Sequence, residues 1–272
     1  MNPTASLAST LAFSILLGSQ STALAEVRLA PLFQEDMVLQ RDMAVPVWGF
    51  AKAEEEVTVT FAGQTKTATA DQSGHWNLRL DALTGSAEGR EMKSTGKNEI
   101  VLRNVVVGEV WICAGQSNMQ MAVGSVPEIK SLIPKAQQLW TFEVPRTATF
   151  TEQEHCGGKW TVGHPNSAVA FSFAHFLQQA ADLPVGIILT CWGSSSLEAW
   201  MPRDMTKTVP HFATIMKEFD RDDTTRATLQ ASFDGPKPWS NKEDIFIRRQ
   251  PNILYNAMMK PLAPFACRGL VW

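Results

Sequence analysis

The pattern of apolar and polar positions changes character near position 104. Before it, short segments such as Val57–Phe61 and His75–Leu80 alternate apolar and polar residues between turn-forming clusters. This alternation is typical of antiparallel strands with one buried face. Beyond position 105, continuous apolar runs alternate with helical patterns, which predicts strand–helix–strand units and a parallel sheet. The sequence therefore predicts a β-sandwich-like domain at 26–104 and an α/β domain at 105–272.

Two strands and one helix of the second domain have strong sequence signals. Val105–Cys113 and Val185–Thr190 are apolar runs suited to buried parallel strands. Between them, Ser167–Ala180 places apolar residues at helical spacing, and Ser167 is the expected N-cap. We also expect helices at Leu197–Met205, His211–Leu229 and Asn252–Lys260, a loop at Asp234–Gln250 and a strand from Cys267.

The first 25 residues have the features of an export signal. An apolar stretch at Leu7–Leu17 precedes the small-residue pattern Ala23-Leu24-Ala25, so cleavage is expected before Glu26. The stretch is shorter than the roughly 20 residues that span a bilayer. We therefore predict a periplasmic or extracellular protein with no membrane span; the alternative is an N-terminal segment with no targeting role.

Composition narrows the function classes. The chain has 272 residues, 44% of them hydrophobic, and a formal net charge of -3. This balance is ordinary for a globular protein and gives no support to nucleic-acid binding, which needs a concentrated basic face. The sequence does not determine the oligomeric state.

The four cysteines give no metal or redox signature. None stands in a C-x-x-C pair, and three complete pairings are open for Cys113, Cys156, Cys191 and Cys267. Cys113 and Cys191 both end predicted strands, so a bridge between them and a pair of buried thiols both remain open.

Ser117 is the strongest candidate for chemistry. It follows the predicted strand that ends at Cys113, and Ala114-Gly115 lets the backbone turn sharply before it. Open α/β sheets place reactive groups outside the carboxyl ends of their strands. A serine nucleophile also needs a base and donors for the developing oxyanion. The alternative is a serine that caps a loop or a helix.

The residues around Ser117 resemble a known family. Gly115-Gln-Ser-Asn-Met119, preceded by Val110-Trp-Ile-Cys113, is similar to the first block of the SGNH hydrolases, specifically their sialate O-acetylesterase-like branch. The resemblance implies a flavodoxin-like parallel-sheet hydrolase domain in which Ser117 is the nucleophile and its N–H binds the oxyanion. It implies an acetylated carbohydrate as substrate and neither a metal nor an organic cofactor.

A second turn, Cys191–Ser196, follows the next predicted strand. In the resembling family this block usually reads Trp-Gly-Gly-Thr, and its backbone contributes an oxyanion donor. Gly193 matches the first glycine and is the implied donor, whereas Ser194 replaces the second. Serine at that position is a problem where the backbone needs the positive φ that glycine adopts freely, or where the substrate approaches so closely that only glycine fits. We expect the three serines of this turn to be loop or helix-cap residues.

The resemblance also implies a substrate pocket. Aromatic side chains pack against sugar faces, and amides bind hydroxyl groups. For Trp200 and Tyr255 a purely structural role in the core is equally open. The implied pocket residues are Gln116, Asn118, Trp192, Trp200, Asn252, Tyr255 and Asn256.

A catalytic histidine is missing from the pattern. None of the five histidines stands in the Asp-x-x-His motif that the resemblance implies, so no catalytic His or Asp is predicted in this chain. The family's Gln-Gly-Glu block would follow a strand like Arg268–Trp272, where the chain ends. We therefore expect a truncated member that is inactive or nearly so. The alternative is a non-catalytic or degenerate carbohydrate-binding fragment.

Overall fold

The computed structural model describes residues 26–272, and the predicted export segment at 1–25 lies outside them. The strands are β1 (Arg28–Leu29), β2 (Val38–Gln40), β3 (Val45–Phe50), β4 (Glu56–Phe61), β5 (Gln64–Thr69), β6 (His75–Leu80), β7 (Ser86–Thr95), β8 (Glu99–Gly115), β9 (Leu139–Glu143), β10 (Trp160–Val162), β11 (Val185–Cys191) and β12 (Gly269–Val271). The α-helices are α1 (Ser117–Gln120), α2 (Pro127–Lys130), α3 (Ala168–Ala181), α4 (Pro210–Arg221), α5 (Asp223–Asp234) and α6 (Asn241–Ile247).

The amino-terminal part contains two sheets. One has the order β1-β3-β6, and the other runs through β5, β4, β7 and β8. In β4, Val57, Val59 and Phe61 are buried, and in β6 Trp76 and Leu80 are buried, as the alternation predicts. These side chains belong to one hydrophobic core. The sandwich-like arrangement itself stays a prediction.

β8 joins the two parts of the molecule. The sequence predicts separate strands at Glu99–Leu102 and Val105–Cys113, but both belong to this one 17-residue strand. Asn104 has a φ of 56° inside it, and the pairing with β7 shifts register nearby. An asparagine tolerates this left-handed conformation better than most residues. The predicted domain boundary at 104/105 therefore falls within a continuous strand.

The parallel sheet predicted for the second part is present. β9, β11, β8 and β12 are neighbours in that order and run parallel, while β10 pairs antiparallel with β9 at the edge. Cys191 of β11 pairs in register with Gly115 of β8. The carboxyl ends of these two strands therefore lie side by side, and the chain is a mixed α/β protein with a mixed sheet.

The amino-terminal ends of the same strands are fixed by an ion network. Glu109 of β8 has a side chain that is 5% exposed. Its carboxylate accepts hydrogen bonds from Arg41 Nε at 2.6 Å and from Arg268 Nε at 3.1 Å. Gln40 Oε1 accepts from the Val110 N–H at 2.8 Å. Charge and backbone are both satisfied here, which joins β2, β8 and the start of β12.

One of the predicted helices is confirmed, and others differ in their bounds or type. α3 matches the predicted helix, and Ser167 caps it by accepting from the Ala170 N–H at 3.0 Å. The predicted helix at His211–Leu229 is two helices, α4 and α5, because the Asp222 side chain caps a new helix. The predicted loop at Asp234–Gln250 was wrong in part, since it contains α6. Single turns of 3-10 helix occur at Glu198–Trp200 and Arg203–Lys207, and Tyr255–Met259 is a π-helix.

Within residues 26–272, none of the helices combines the length and the apolar character that crossing a membrane requires.

Candidate active site

The first turn of the site exposes Ser117. Gly115 ends β8 with a φ of 142°, a conformation that a side chain would strain, and α1 starts two residues later. Met119 is buried and anchors this short helix, whereas Gln116, Ser117 and Asn118 are exposed. The sharp turn therefore raises the Ser117 hydroxyl at the carboxyl end of a central strand.

The second turn lies directly beside the first. The Trp192 N–H donates to the Gly115 carbonyl at 3.0 Å, which ties the turn after β11 to the turn after β8. Ser194, the residue that replaces the second glycine, has a φ of 60°. The backbone is left-handed here, and serine adopts this conformation at a cost in strain.

Two hydrogen bonds connect the turns at Ser117. The Ser194 N–H donates to Ser117 Oγ at 3.4 Å. The Gly193 N–H, which the resemblance implies as an oxyanion donor, donates instead to Gln120 Oε1 at 2.5 Å. A Cβ at Gly193 would lie 2.8 Å from that oxygen, so a side chain there would displace the end of the Gln120 side chain.

Ser117 opens into a shallow recess of about 320 Å³ that includes Arg248. Arg248 Nη1 lies 2.9 Å from Asp244 Oδ2. Among the residues that the structure describes, Arg248 Nε is buried without a hydrogen-bond partner. A buried donor without a partner is unfavourable, so this guanidinium has spare capacity for an acceptor. The recess is lined by Ser117, Gln120, Met121, Gly193, Ser194 and Arg248.

The sequence reasoning missed Arg248 because it missed α6. Residues after this helix support the second turn: the Ser196 N–H donates to the Arg248 carbonyl at 3.3 Å, and Ser196 Oγ donates to the Arg249 carbonyl at 3.1 Å. The signal was available in Ser240-x-x-Glu243, which forms a capping box at the start of α6. No comparable signal pointed to Arg248 itself.

The hydroxyls of Ser195 and Ser196, also in the second turn, form hydrogen bonds that stabilise the loop. Ser195 is 8% exposed, and its Oγ accepts from Trp200 Nε1 at 2.8 Å. Ser196 Oγ accepts from the Ala199 N–H at 3.2 Å, as a helix cap does. Both lie where loop and cap residues were expected.

The predicted aromatic pocket residues are buried away from the recess. Trp192 is 2% exposed and stacks on Trp239 with ring centroids 5.9 Å apart. Trp200 is 6% exposed and packs edge-to-face against Trp272. Neither lines the Ser117 recess, so the structure does not bring these two rings to the candidate nucleophile.

The predicted residues from the last third of the chain do not line the recess either. Asn252 is buried, has a φ of 68° and donates through Nδ2 to the Met201 carbonyl at 3.0 Å. Asn256 is buried and donates to the Phe150 carbonyl at 2.9 Å. Tyr255 is half-buried, and burial raises the pKa of its phenol. Gln116 and Asn118 are the predicted pocket residues that do flank Ser117 on the first turn.

None of the five histidines, all within residues 26–272, lines the recess. His75 lies 3.2 Å from Glu154, and His155 packs against Phe50. His164 and His175 both contact Phe171, and His175 is 2% exposed within α3. His211 is exposed on α4.

The cysteines are free thiols in the described residues. Cys113 and Cys191 lie two register positions apart on the paired strands β8 and β11. Burial, followed by the neighbouring Cys191, raises the pKa of Cys113 to about 12. A thiol with such a pKa stays protonated near neutrality and is a poor nucleophile.

Across the described range 26–272, no group of three or more His, Cys, Asp or Glu residues is arranged to hold a metal ion.

Comparison with known proteins supports the esterase class that the residues around Ser117 resemble. A scan against protein-family models finds no match. Sialate O-acetylesterase of Mus musculus is 28% identical over 287 residues, covering 90% of this chain and 51% of the relative. That of Rattus norvegicus is 30% identical over 290 residues, covering 90% and 51%. That of Homo sapiens is 26% identical over 291 residues, covering 96% and 51%.

A solved structure gives the same relationship. The crystal structure of a carbohydrate acetylesterase from Xanthomonas citri matches with a TM-score of 0.71 and 29% identity, over 90% of this chain and 51% of that one. The mixed α/β sheet of the chain is thus a hydrolase-type fold. These matches support the sialate O-acetylesterase-like family for this chain. It spans about half the length of the curated relatives that it matches.

Proposed function

We propose that this chain carries the nucleophile of an exported esterase that removes O-acetyl groups from carbohydrates. The observation that supports it most directly is the placement of Ser117. Its exposed hydroxyl stands on a sharp turn at the carboxyl end of a parallel strand, and the N–H of Ser194 on the adjacent turn points at it from 3.4 Å. Acyl transfer needs an exposed nucleophile and backbone donors close enough to reach the oxyanion that forms beside it, and the Ser194 N–H is such a neighbouring donor.

The proposed chemistry is a two-step acyl transfer. Ser117 Oγ attacks the acetyl carbonyl carbon, the carbonyl π electrons move to oxygen, and a base accepts the hydroxyl proton. Collapse of the tetrahedral intermediate expels the sugar oxygen, which takes up a proton, and leaves acetyl-Ser117. Water then attacks the acetyl carbonyl, the Ser117 oxygen leaves and is reprotonated, and acetate departs. Backbone N–H groups of the two turns stabilise both oxyanions.

We further propose that the 272-residue chain by itself turns over acetyl esters very slowly. Among residues 26–272, no histidine lines the Ser117 recess, so no imidazole there is placed to accept the proton. Loss of the base in a serine hydrolase lowers the rate by roughly 10³-fold or more. The sialate O-acetylesterases that the chain matches are about twice as long.

The test is acetate release from an acetylated oligosaccharide, with and without added imidazole. Wild type is compared with Ser117→Ala and with Ser125→Ala, a serine that is exposed outside the recess. Imidazole supplies a diffusible base, so it should increase acetate release by wild type and Ser125→Ala above the level of Ser117→Ala. Equal rates for wild type and Ser117→Ala under both conditions would remove Ser117 from the mechanism.

The absence of a nearby histidine also favours a second candidate, a non-catalytic carbohydrate-binding role. Calorimetric titration with the same acetylated oligosaccharide distinguishes the two. Binding that is unchanged in Ser117→Ala, together with no imidazole-dependent release, would support the binding role. Rapid acetate release by wild type without imidazole would contradict both the binding role and the slow turnover proposed above.

A further inference from the structure

We infer that the Ser194 N–H, rather than that of Gly193, is the second oxyanion donor, and that Gln120 is the residue that positions it. The inference rests on the proposed role of Ser117 and deepens it.

The Gly193 N–H is occupied. It donates to Gln120 Oε1 at 2.5 Å, a short bond between a buried glycine and a half-buried glutamine. Each backbone N–H provides one hydrogen, so the bond to Gln120 competes with donation from Gly193 to a developing oxyanion. Releasing it would leave the Gln120 oxygen to find another partner, which is unfavourable at a partly buried position.

The Ser194 N–H points toward Ser117. Ser194 N lies 3.4 Å from Ser117 Oγ, and within residues 26–272 this N–H has no other acceptor. The oxyanion of an acyl-Ser117 adduct lies two bonds from Oγ, within reach of a donor at that distance. Ser194 itself adopts a φ of 60°, so the chain turns sharply immediately after this N–H.

Gln120 holds that geometry in place. It lies on α1, three residues after Ser117, and its own N–H donates to the Gln116 carbonyl at 2.9 Å. Its side chain therefore moves as a unit with the Ser117 turn. By binding the Gly193 N–H, Gln120 fixes the distance between the nucleophile and the following amide. From the other side, Arg249 Nε donates to the Ser194 carbonyl at 3.3 Å.

The first arm of the test reads the contact directly. Amide hydrogen exchange at Gly193 is measured by NMR in the ¹⁵N-labelled 272-residue chain. Gln120→Met keeps the side-chain length but loses the acceptor, so Gly193 exchange should rise by roughly 5-fold. Gln120→Glu keeps an oxygen acceptor and should retain protection. The matched control is Gln230→Ala, since Gln230 is exposed on α5 and bonds to Asp234.

The second arm reads the oxyanion donor and uses methylboronic acid as the probe. Ser117 Oγ adds to boron, an O–B bond forms, the hydroxyl proton passes to buffer, and a boronate oxygen takes the oxyanion position. The Ser194 amide proton should then move downfield while the Gly193 amide proton stays in place. In Gln120→Met the Ser194 shift should become smaller, whereas in Gln120→Glu the Gly193 protection should persist.

Specific outcomes would overturn the inference. Unchanged Gly193 exchange in Gln120→Met would rule out the contact, and a downfield shift of the Gly193 amide on boronate addition would make Gly193 the donor. A wild-type chain that forms no more adduct than Ser117→Ala overturns the proposed function and the donor assignment with it. The exchange rates still decide the contact between Gln120 and Gly193 in that case, so the two failures are distinguishable.

Discussion

The two ends of the parallel strand segment in β8 differ in how completely their polar groups are satisfied. At the amino end, the Glu109 carboxylate is buried and bonded to two arginines. At the carboxyl end, Ser117 is exposed, and Arg248 Nε is buried without a partner among the described residues. A saturated network stabilises a fold, whereas unpaired groups around a recess are free to bind something else. In β8, the groups that stabilise the fold thus lie at the amino end of the parallel segment, and the candidate reactive group lies at its carboxyl end.

The largest effect on stability is expected at the amino end. Glu109→Gln removes the charge that neutralises Arg41 and Arg268, and we expect unfolding to become easier by about 3 kcal/mol in urea denaturation. This loss is small for the breaking of a buried ion pair, because both arginines are about a third exposed and stay hydrated. Glu99→Gln, at an exposed position of the same strand, is the control. Equal losses in both variants would show that the network contributes nothing specific.

The same network makes stability depend on pH. Burial tends to raise the pKa of Glu109, but hydrogen bonds from Arg268 and Arg41 outweigh it and hold the pKa below its usual value of 4.5. A lowered pKa in the folded state contributes stability above pH 4.5 that is lost as the pH falls through the folded value. Wild type should therefore lose stability on acidification more steeply than Glu109→Gln. Parallel pH profiles of the unfolding free energy would contradict this.

At the carboxyl end, the turn itself is the most sensitive feature. Gly115→Ala places a Cβ on a residue with a φ of 142°, and we expect a loss of about 2 kcal/mol together with a displaced Ser117. Gly124→Ala is the matched control, because a Cβ there meets nothing within 4 Å. Thermal unfolding and the boronate adduct report the two effects separately. A fully reactive Ser117 in Gly115→Ala would show that the turn is not needed.

The serines of the two turns should respond in opposite ways. Ser195→Ala leaves Trp200 Nε1 buried without its acceptor and should cost about 1.5 kcal/mol of stability. Ser117→Ala removes an exposed hydroxyl and should leave the unfolding free energy within roughly 0.5 kcal/mol of wild type. Adduct formation should show the reverse order, with loss in Ser117→Ala alone. Loss of the adduct in Ser195→Ala at unchanged stability would make Ser195 a rival nucleophile.

The smallest effect is expected at Ser194. Ser194→Gly relieves strain at a φ of 60° but adds flexibility to the unfolded chain, so a net gain of about 0.5 kcal/mol is expected. Ser194→Val places a β-branched side chain at the same φ and should destabilise the protein. Chemical denaturation of both variants checks the sign. A glycine variant less stable than the valine variant would show that the left-handed conformation is not strained.

Short-range sequence patterns predicted several helices and strands correctly. They failed where two patterns in the same segment favoured different structures. Ser167 was predictable as an N-cap because capping depends on a few adjacent residues. α6 was missed because Pro236 and Pro238 outweighed the capping box at Ser240, although both prolines precede the helix. The two strands predicted on either side of Asn104 are one, since a single left-handed residue interrupts the pattern without ending the strand.

The sequence alone indicated the family resemblance and the parallel-sheet region and predicted Ser117 as the nucleophile, because each depends on contiguous residues: a motif, an apolar run and a turn. Tertiary structure alone decided what surrounds that serine. The contact from Gln120 to Gly193 spans 73 positions, and that from Ser194 to Ser117 spans 77. Burial of Trp192 and Trp200 likewise depends on distant packing, here against Trp239 and Trp272. Such partners are brought together by the register of the parallel strands. That register cannot be read from the residues next to either position in the sequence.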